Sequence, residues 1–280
     1  MGLPRDVRTA APRAAPTDRT PGFLYNATRL GDGLGTLSAR SVGQDEIVEN
    51  VHGVLERMRA AAVRAGRRPD AVRLVAATKF VPVDRIILAA QAGVQCFGEN
   101  RLQEALPKLD ALRDRPRISW HFIGRLQRRK VKAVVGRFAL IHSVDAVDLA
   151  REIDRRAGAC GVRQAVLLEV NIGGEGSKAG VVPTEAEAAL TALDAMPNVD
   201  VNGLMAIPPP VRTAEEARPY FRRLRDLARS LMDANRFSRV KMDELSMGMS
   251  GDFEVAIEEG ATIVRVGAAI FGDRPEGEAR

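Results

Sequence analysis

The sequence predicts a single (β/α)8 barrel, in which eight parallel strands alternate with helices. Three observations lead to this prediction. Between residues 73 and 267, short apolar runs alternate with segments of helical period, which is typical of parallel β/α units. Eight such units in about 200 residues match the size of a closed barrel. The first run is not followed by Gly-x-Gly-x-x-Gly, which would have indicated an open dinucleotide-binding sheet.

The predicted elements follow one another in a regular order. A helix over residues 45–65 carries apolar residues at helical spacing, and we expect it to lie outside the barrel beside the last strand. The predicted strands span residues 73–78, 94–97, 118–123, 139–143, 165–170, 199–206, 242–247 and 262–267. The predicted intervening helices span residues 84–92, 102–112, 128–135, 147–156, 184–195, 213–232 and 253–259.

The first 40 residues differ in composition from the rest of the chain. They contain six arginines and three aspartates, and four of the 15 prolines lie within the first 21 residues. They include no apolar signal-peptide core. Segments rich in proline and charge do not bury enough apolar surface to fold. We therefore expect a disordered basic extension over residues 1–40 and a barrel domain over residues 41–280, with a transit peptide as the weaker alternative.

The overall composition excludes several classes of protein. Hydrophobic residues make up 45% of the chain, yet no apolar run is long enough to span a bilayer. Two cysteines indicate no disulfide framework, and three histidines lack the spacing of metal ligands. The net charge of +6 is not accompanied by aromatic residues in a basic stripe, as nucleic-acid binding would require. We expect a cytoplasmic protein without a metal, a membrane or a nucleic acid as partner.

The first predicted strand ends at Lys79, which is unusual in this chain. Only six lysines occur beside 36 arginines, so the protein uses arginine where charge alone is needed. Lysine, unlike arginine, can lose its proton and act as a nucleophile. Functional groups in a barrel cluster at the C-terminal ends of strands. Lys79 is therefore a candidate reactive amine, and the alternative is an exposed lysine whose stem packs on apolar neighbours.

The last two strands end at the corner where many barrels bind phosphate. Residues 246–250 read Ser-Met-Gly-Met-Ser, and residues 265–267 read Arg-Val-Gly. Their glycines allow backbone amides to approach an anion closely. A lysine facing a phosphate site is typical of an aldehyde-phosphate cofactor. Arg265 lies in an apolar run and needs a partner, and a salt bridge to Glu169 and a ligand contact remain equal alternatives.

Six segments of the sequence carry a resemblance to a known family. They are LVAATK (74–79), FGENRLQEA (97–105), WHFIGRLQRRKVK (120–132), EVNIGGEGSKAGV (169–181), GLMAI (203–207) and LSMGMSGDFEVAIEEGATIVRVGAAIFG (245–272). In this order they resemble the pyridoxal phosphate homeostasis protein family, and the resemblance covers about residues 45–274. That family has the barrel of the alanine racemase N-terminal domain, without the second β domain of true alanine racemases.

The resemblance implies a site for pyridoxal 5'-phosphate. Lys79 would form the Schiff base and Arg265 would face the pyridine nitrogen. The remaining implied contacts are Ser246, Gly248, Gly267 and the backbone of Ala268 at the phosphate, Asn100 and Met205 at the ring, and His121 and Asn171 nearby. Two positions depart from the family: Ala268 replaces the usual threonine or serine, and Arg129 stands where asparagine is common.

The resemblance also implies a function. Members act in intracellular pyridoxal phosphate homeostasis, holding the cofactor and releasing or transferring it, with apo pyridoxal-phosphate enzymes as recipients and a monomer as the expected state. The alternative is an amino-acid racemase-like enzyme. Arginine at the ring nitrogen cannot accept a proton, which disfavours broad carbanion chemistry, although racemases work with such a pairing. A racemase also needs a second acid/base on the opposite face. The only tyrosines, Tyr25 and Tyr220, end no predicted strand, so we favour a carrier without robust catalytic activity.

Overall fold

The computed structural model of the protein describes residues 42–115, 117–176, 179–233 and 236–272. These residues belong to one compact unit. The extension predicted over residues 1–40 lies outside the described residues. Of the helices described, none is both long and apolar enough to cross a membrane.

Eight strands form a closed parallel barrel in the order of the sequence, as predicted. They are β1 (Arg73–Ala77), β2 (Cys96–Glu99), β3 (Ser119–Phe122), β4 (Leu140–Val144), β5 (Gln164–Glu169), β6 (Val199–Met205), β7 (Glu244–Ser246) and β8 (Ile263–Val266). Closure occurs where β8 pairs with β1, with Arg265 beside Val75. All C-terminal strand ends therefore meet at one mouth.

Helices surround the barrel. They are α1 (Val42–Arg64), α2 (Val83–Gln91), α3 (Leu102–Ala111), α4 (Val147–Ala159), α5 (Ala186–Asp194), α6 (Ala214–Asp233), α7 (Phe253–Glu258) and α8 (Ala268–Phe271). Because α1 packs against α7, α2 and α8, it lies next to the β8–β1 pair, as the sequence predicted. Its buried residues Ile47, Val51, Val54 and Met58 recur at helical spacing and form the face that contacts the core.

Two short elements differ from the prediction. Residues Arg128–Ala133 form a 3-10 helix where an α-helix was predicted over residues 128–135. Val131 is its only buried residue, so this basic segment lacks the apolar stripe that stabilises a longer helix by packing. The single turn of α8 was not predicted, because four residues are too few to show helical periodicity. That turn begins after Gly267, at the mouth of the barrel.

The core has two layers. Between the strands and the helices lies the larger apolar cluster. Inside the barrel a smaller cluster contains Val75, Cys96, Leu140, Leu167, Met205 and Ile263. Side chains alternate along a strand, so His142 shares the inner face with Leu140, and Arg265 shares it with Ile263. The interior therefore changes from apolar to polar toward the mouth.

Candidate functional site

A cleft of about 490 Å³ opens where β1 and β8 end. It is lined by Lys79, by residues leading into α2, and by Gly267 and Ala268 at the start of α8. Lys79 is half-buried, and its Nζ lies 5.1 Å from the centre of the Phe80 ring. Of the predicted site residues, this cleft brings together Lys79, Gly267 and Ala268.

The backbone on both sides of Lys79 is held by charged side chains. Lys108 Nζ donates a 2.7 Å hydrogen bond to the carbonyl of Thr78, and the amide of Phe80 donates to Glu104 Oε2 at 3.0 Å. Phe80 has a φ of 60°, a left-handed conformation that costs a non-glycine residue roughly 1–3 kcal/mol. These contacts hold the backbone of the residues on either side of Lys79, including the strained Phe80, in place.

A buried ion pair lies beneath this segment. Glu99 is fully buried, and its Oε1 accepts hydrogen bonds from Lys108 Nζ at 2.7 Å and Thr78 Oγ1 at 2.6 Å. Burial raises the pKa of Glu99, and the hydrogen bonds from Lys108 and Thr78 oppose that rise. Its Oε2 and the Oδ1 of Asn100 are buried without a hydrogen-bond partner. Two acceptors at the end of β2 therefore remain available to a donor.

Backbone amides converge at the start of α8. Ser250 Oγ accepts hydrogen bonds from the amides of Gly267 at 3.2 Å and Ala269 at 3.4 Å. Amides that converge on one oxygen form a site suited to an anion. A Cβ at Gly267 would lie 3.2 Å from the carbonyl oxygen of Ala77, so glycine allows this turn to approach β1 closely. The sequence offers the hydroxyls of both Ser246 and Ser250 at this corner, whereas the resemblance assigned only Ser246 to the phosphate.

Gly248 shapes the loop that carries Ser250. Its φ is +92°, and a Cβ there would lie 2.5 Å from the Cβ of Ala256 in α7. Its carbonyl accepts the backbone amide of Arg265 at 3.0 Å. Glycine at this position therefore sets the path of the loop from β7 to α7 beside β8.

Arg265 is buried in β8. Its Nη1 donates to Ser246 Oγ at 2.6 Å and its Nη2 donates to the carbonyl of Ala206 at 3.1 Å. Burial lowers the pKa of Arg265 to about 10, against the opposing charges of Glu169 and Asp252. Both of these residues are described, and neither forms a direct ion pair with Arg265. The alternative of a salt bridge to Glu169 is thus not realised.

Ser246, whose hydroxyl the resemblance places at the phosphate, is fully buried. Its oxygen is engaged by Arg265 and His142. His142 Nε2 in turn lies 3.0 Å from His121 Nδ1. Burial lowers the pKa of His121 to about 4, helped by the charge of Arg73. His121 is therefore a neutral member of a buried chain that ends at Arg265.

The other predicted contacts have different surroundings. Asn171 closes the loop after β5: its Nδ2 donates to the carbonyl of Glu175 at 2.8 Å, and its Oδ1 accepts the amide of Gly174 at 3.0 Å. Its amide group is thus engaged within its own loop. Met205 is buried in the apolar cluster inside the barrel and ends β6 at the level of Ser246, its partner in β7.

Glu169 was not predicted to titrate near neutral pH. It ends β5 and is 9% exposed. Burial and Asp145 raise its pKa to about 7, and the charges of Arg265 and Arg125 oppose this. The sequence offered only a carboxylate at a strand end, and the shift depends on burial, which tertiary structure alone supplies.

Comparison with known proteins identifies the family. A profile described as the alanine racemase N-terminal domain matches residues 54–275. The chain is 49% identical over 226 residues to the pyridoxal phosphate homeostasis protein of Aquifex aeolicus, covering 81% of this chain and 97% of that protein. It is 44% identical over 233 residues to the protein of that name from Pseudomonas aeruginosa, covering 82% and 97%. The resemblance predicted from the sequence is confirmed.

Solved structures agree with this result. PipY of Synechococcus elongatus with PLP bound superposes with a TM-score of 0.68 at 37% identity, covering 81% of this chain and 100% of that one. Its structure without PLP gives a TM-score of 0.73. The alanine racemase of Corynebacterium glutamicum shares the fold, with a TM-score of 0.59 at 20% identity, 85% of this chain and 63% of the racemase being covered.

Proposed function

This chain belongs to the alanine racemase N-terminal domain family, as one of its pyridoxal phosphate homeostasis proteins, and from that premise we propose that it binds pyridoxal 5'-phosphate covalently through Lys79. Its role is to hold the cofactor and pass it on in pyridoxal phosphate homeostasis. One observation carries the proposal: Lys79 and the turn that begins at Gly267 line the same cleft. An amine and an anion site at one opening match the two ends of an aldehyde phosphate.

The residues present fit this cofactor. Pyridoxal 5'-phosphate supplies an aldehyde that condenses with a lysine amine. The amides of Gly267 and Ala269 point to a common position, where Ser250 Oγ accepts from both. A phosphate oxygen that took over these two donors, with the Ser250 hydroxyl as a third, would be bound more strongly than by one donor. Arg265, with donors only, suits an unprotonated ring nitrogen.

The geometry supports a revised assignment at the phosphate. We assign the amides of Gly267, Ala268 and Ala269 and the hydroxyl of Ser250 to the phosphate, and Gly248 to the shape of the loop. Ser246 instead accepts a hydrogen bond from Arg265. The side-chain hydroxyl that Ala268 lacks is thereby offset in part by Ser250.

The ring site rests on the residues between Lys79 and Arg265. We assign Met205 and Asn100 to the ring, because Met205 ends β6 beside Ser246 and Asn100 Oδ1 is a buried acceptor without a partner. His121 and Asn171 hydrogen-bond within the protein, so we assign them support of the site rather than contact with the cofactor.

Covalent labelling tests the proposal. Protein incubated with pyridoxal 5'-phosphate is reduced with borohydride, digested and mapped by mass spectrometry. We expect the label on Lys79 and its loss in Lys79→Ala. Lys241→Ala, which removes an exposed lysine, is the matched control and should keep the label. Label on another lysine in the wild-type protein would refute the assignment.

A carrier role is favoured over a racemase role. Arg265 would leave the ring nitrogen unprotonated, a pairing with which racemases also work, so the discriminating feature is the second acid/base that a racemase needs on the opposite face. Tyr220, the one tyrosine among the described residues, belongs to the outer helix α6 and packs against the core, so it cannot act across the mouth. Exchange of amino-acid α-protons in heavy water distinguishes the roles. Exchange at the rate of catalytic turnover, lost in Lys79→Ala, would establish the enzyme instead.

We further propose that the protein is a cytoplasmic monomer and that apo pyridoxal-phosphate enzymes receive its cofactor. Light scattering should give a mass near the 30.3 kDa of the chain. Transfer is tested by adding the loaded protein to such an apoenzyme and following the recovery of its activity. Recovery no faster than with the same amount of free cofactor would argue against direct transfer.

A further inference from the structure

A line of hydrogen bonds crosses the interior of the barrel. Arg265 Nη1 donates to Ser246 Oγ at 2.6 Å. Ser246 Oγ lies 2.9 Å from His142 Nδ1, and His142 Nε2 lies 3.0 Å from His121 Nδ1. The four side chains come from β8, β7, β4 and β3, and each is at most 5% exposed. Strands on different sides of the barrel are thus joined by one polar chain.

The protons in this chain can be assigned by counting donors. A guanidinium only donates, so Ser246 Oγ is the acceptor in its bond with Arg265. The hydroxyl proton then points to His142 Nδ1, which leaves the proton of His142 on Nε2, facing His121 Nδ1. Each bond in this arrangement has one proton, and both rings are neutral. With the proton of His142 on Nδ1 instead, Ser246 Oγ would accept two hydrogen bonds. Its own buried hydroxyl proton would then have no acceptor among these four side chains.

The charged groups around the histidines keep them neutral. Burial, His121, Arg265 and Arg73 all lower the pKa of His142, in that order. Burial and then Arg73 lower the pKa of His121. Arg73 itself forms an ion pair with Glu244 at 2.9 Å. Because both histidines are neutral, Arg265 is the only cation among the four hydrogen-bonded side chains.

The line of hydrogen bonds fixes the orientation of the Arg265 guanidinium. Nη1 is held by Ser246, and Nη2 is held by the carbonyl of Ala206 at 3.1 Å, so the plane of the guanidinium is set by two anchors on neighbouring strands. The carbonyl anchor belongs to the backbone. Of the two, only the Ser246 hydroxyl can turn, and His142 Nδ1 fixes its orientation by accepting its hydrogen bond.

We infer that His142 and Ser246, with His121 behind them, are positioning residues that aim Arg265 at the pyridine nitrogen of the cofactor. The inference rests on the proposed function and deepens it. Buried polar groups that satisfy one another specify a single geometry. Here Arg265, the last of the four hydrogen-bonded side chains, is the only cation among them. Removing Ser246 leaves Arg265 with one anchor, and removing His142 frees the hydroxyl of Ser246 to turn. Either change weakens the contact of Arg265 with the ring.

Two single variants and their combination test this inference. Ser246→Ala and His142→Leu should each raise the Kd for pyridoxal 5'-phosphate about tenfold, the size expected for weakening one hydrogen bond of a charged group. Both should displace the absorbance maximum of the bound cofactor in the same direction. Because they act through one group, the double variant should show about the same effect as either single variant.

Ser143→Ala is the matched control. Ser143 is a buried serine next to His142 that hydrogen-bonds to the carbonyl of Gly124 and not to Arg265, so its removal should leave Kd and absorbance unchanged. A folded Ser246→Ala protein with wild-type Kd and spectrum would overturn the inference, as would strictly additive effects of the two changes. Failure of wild-type Lys79 to take the borohydride label would instead refute the proposed function.

A measurement on the cofactor-free wild-type protein avoids any dependence on folding of the variants. Nitrogen NMR of the histidine rings reports which nitrogen carries the proton. We expect neutral rings with the His142 proton on Nε2. A proton on His142 Nδ1, or a charged ring at neutral pH, would contradict the proton assignment on which the inference depends.

Discussion

Glu169 makes the stability of the protein depend on pH in an unusual direction. Its pKa is raised to about 7 by burial and by Asp145, from a usual value of 4.5. Between these values the folded protein holds a proton that the unfolded chain has lost. Unfolding then releases a proton, so stability falls as the pH rises through this window. The contribution of Glu169 is most unfavourable above pH 7 and vanishes below about pH 4.5.

The size of the effect follows from the two pKa values. They differ by about 2.5, and each pKa unit corresponds to about 1.36 kcal/mol. The ionised carboxylate therefore costs about 3 kcal/mol at pH 8. Glu169→Gln removes the titration and keeps the shape of the side chain. We expect the variant to be more stable than the wild-type protein by about 3 kcal/mol at pH 8, and by little at pH 5.

Urea denaturation of the cofactor-free protein at several pH values measures this difference. Glu56→Gln, on the exposed face of α1, is the control and should change stability by less than about 0.5 kcal/mol at every pH. A difference between Glu169→Gln and wild type that stays constant from pH 5 to pH 8 would show that Glu169 does not titrate in this window, and the reasoning from burial would be wrong.

Three further predictions concern the site and its support. Ser250→Ala should raise the Kd for pyridoxal 5'-phosphate in equilibrium dialysis by roughly tenfold to a hundredfold, through loss of a charge-assisted hydrogen bond; an unchanged Kd would exclude Ser250 from the phosphate site. Lys108→Met should lower the urea-derived free energy of unfolding by about 3–5 kcal/mol, because Glu99 is left buried and unpaired, and adding Glu99→Gln should restore part of it. Gly248→Ala, at a φ of +92° and against α7, should lower the melting temperature, whereas Gly251→Ala, with nothing within 4 Å of its Cβ, should not.

The sequence determined the fold and predicted the edge of the fold at which we propose that the cofactor binds. Strand and helix periods are local properties, and parallel β/α units bring all strand ends to one mouth. The scarcity of lysine made Lys79 the candidate amine, and the glycines near 248 and 267 predicted a phosphate corner. Short elements were less predictable: the 3-10 helix at Arg128–Ala133 and the turn of α8 contain too few residues for a period to be recognised.

Only the tertiary structure decided which side chains meet. Arg265 pairs with Ser246 and Ala206 rather than Glu169, and Ser250 rather than Ser246 reaches the amides at the start of α8. These partners depend on the twist and register of strands that are distant in sequence, and a shift of one residue would turn each side chain to the other face. The pKa of Glu169 likewise depends on burial among groups from several strands. Local pattern therefore predicted Lys79 as the candidate amine at the mouth of the barrel, whereas desolvation and cross-barrel contacts decided what surrounds Arg265.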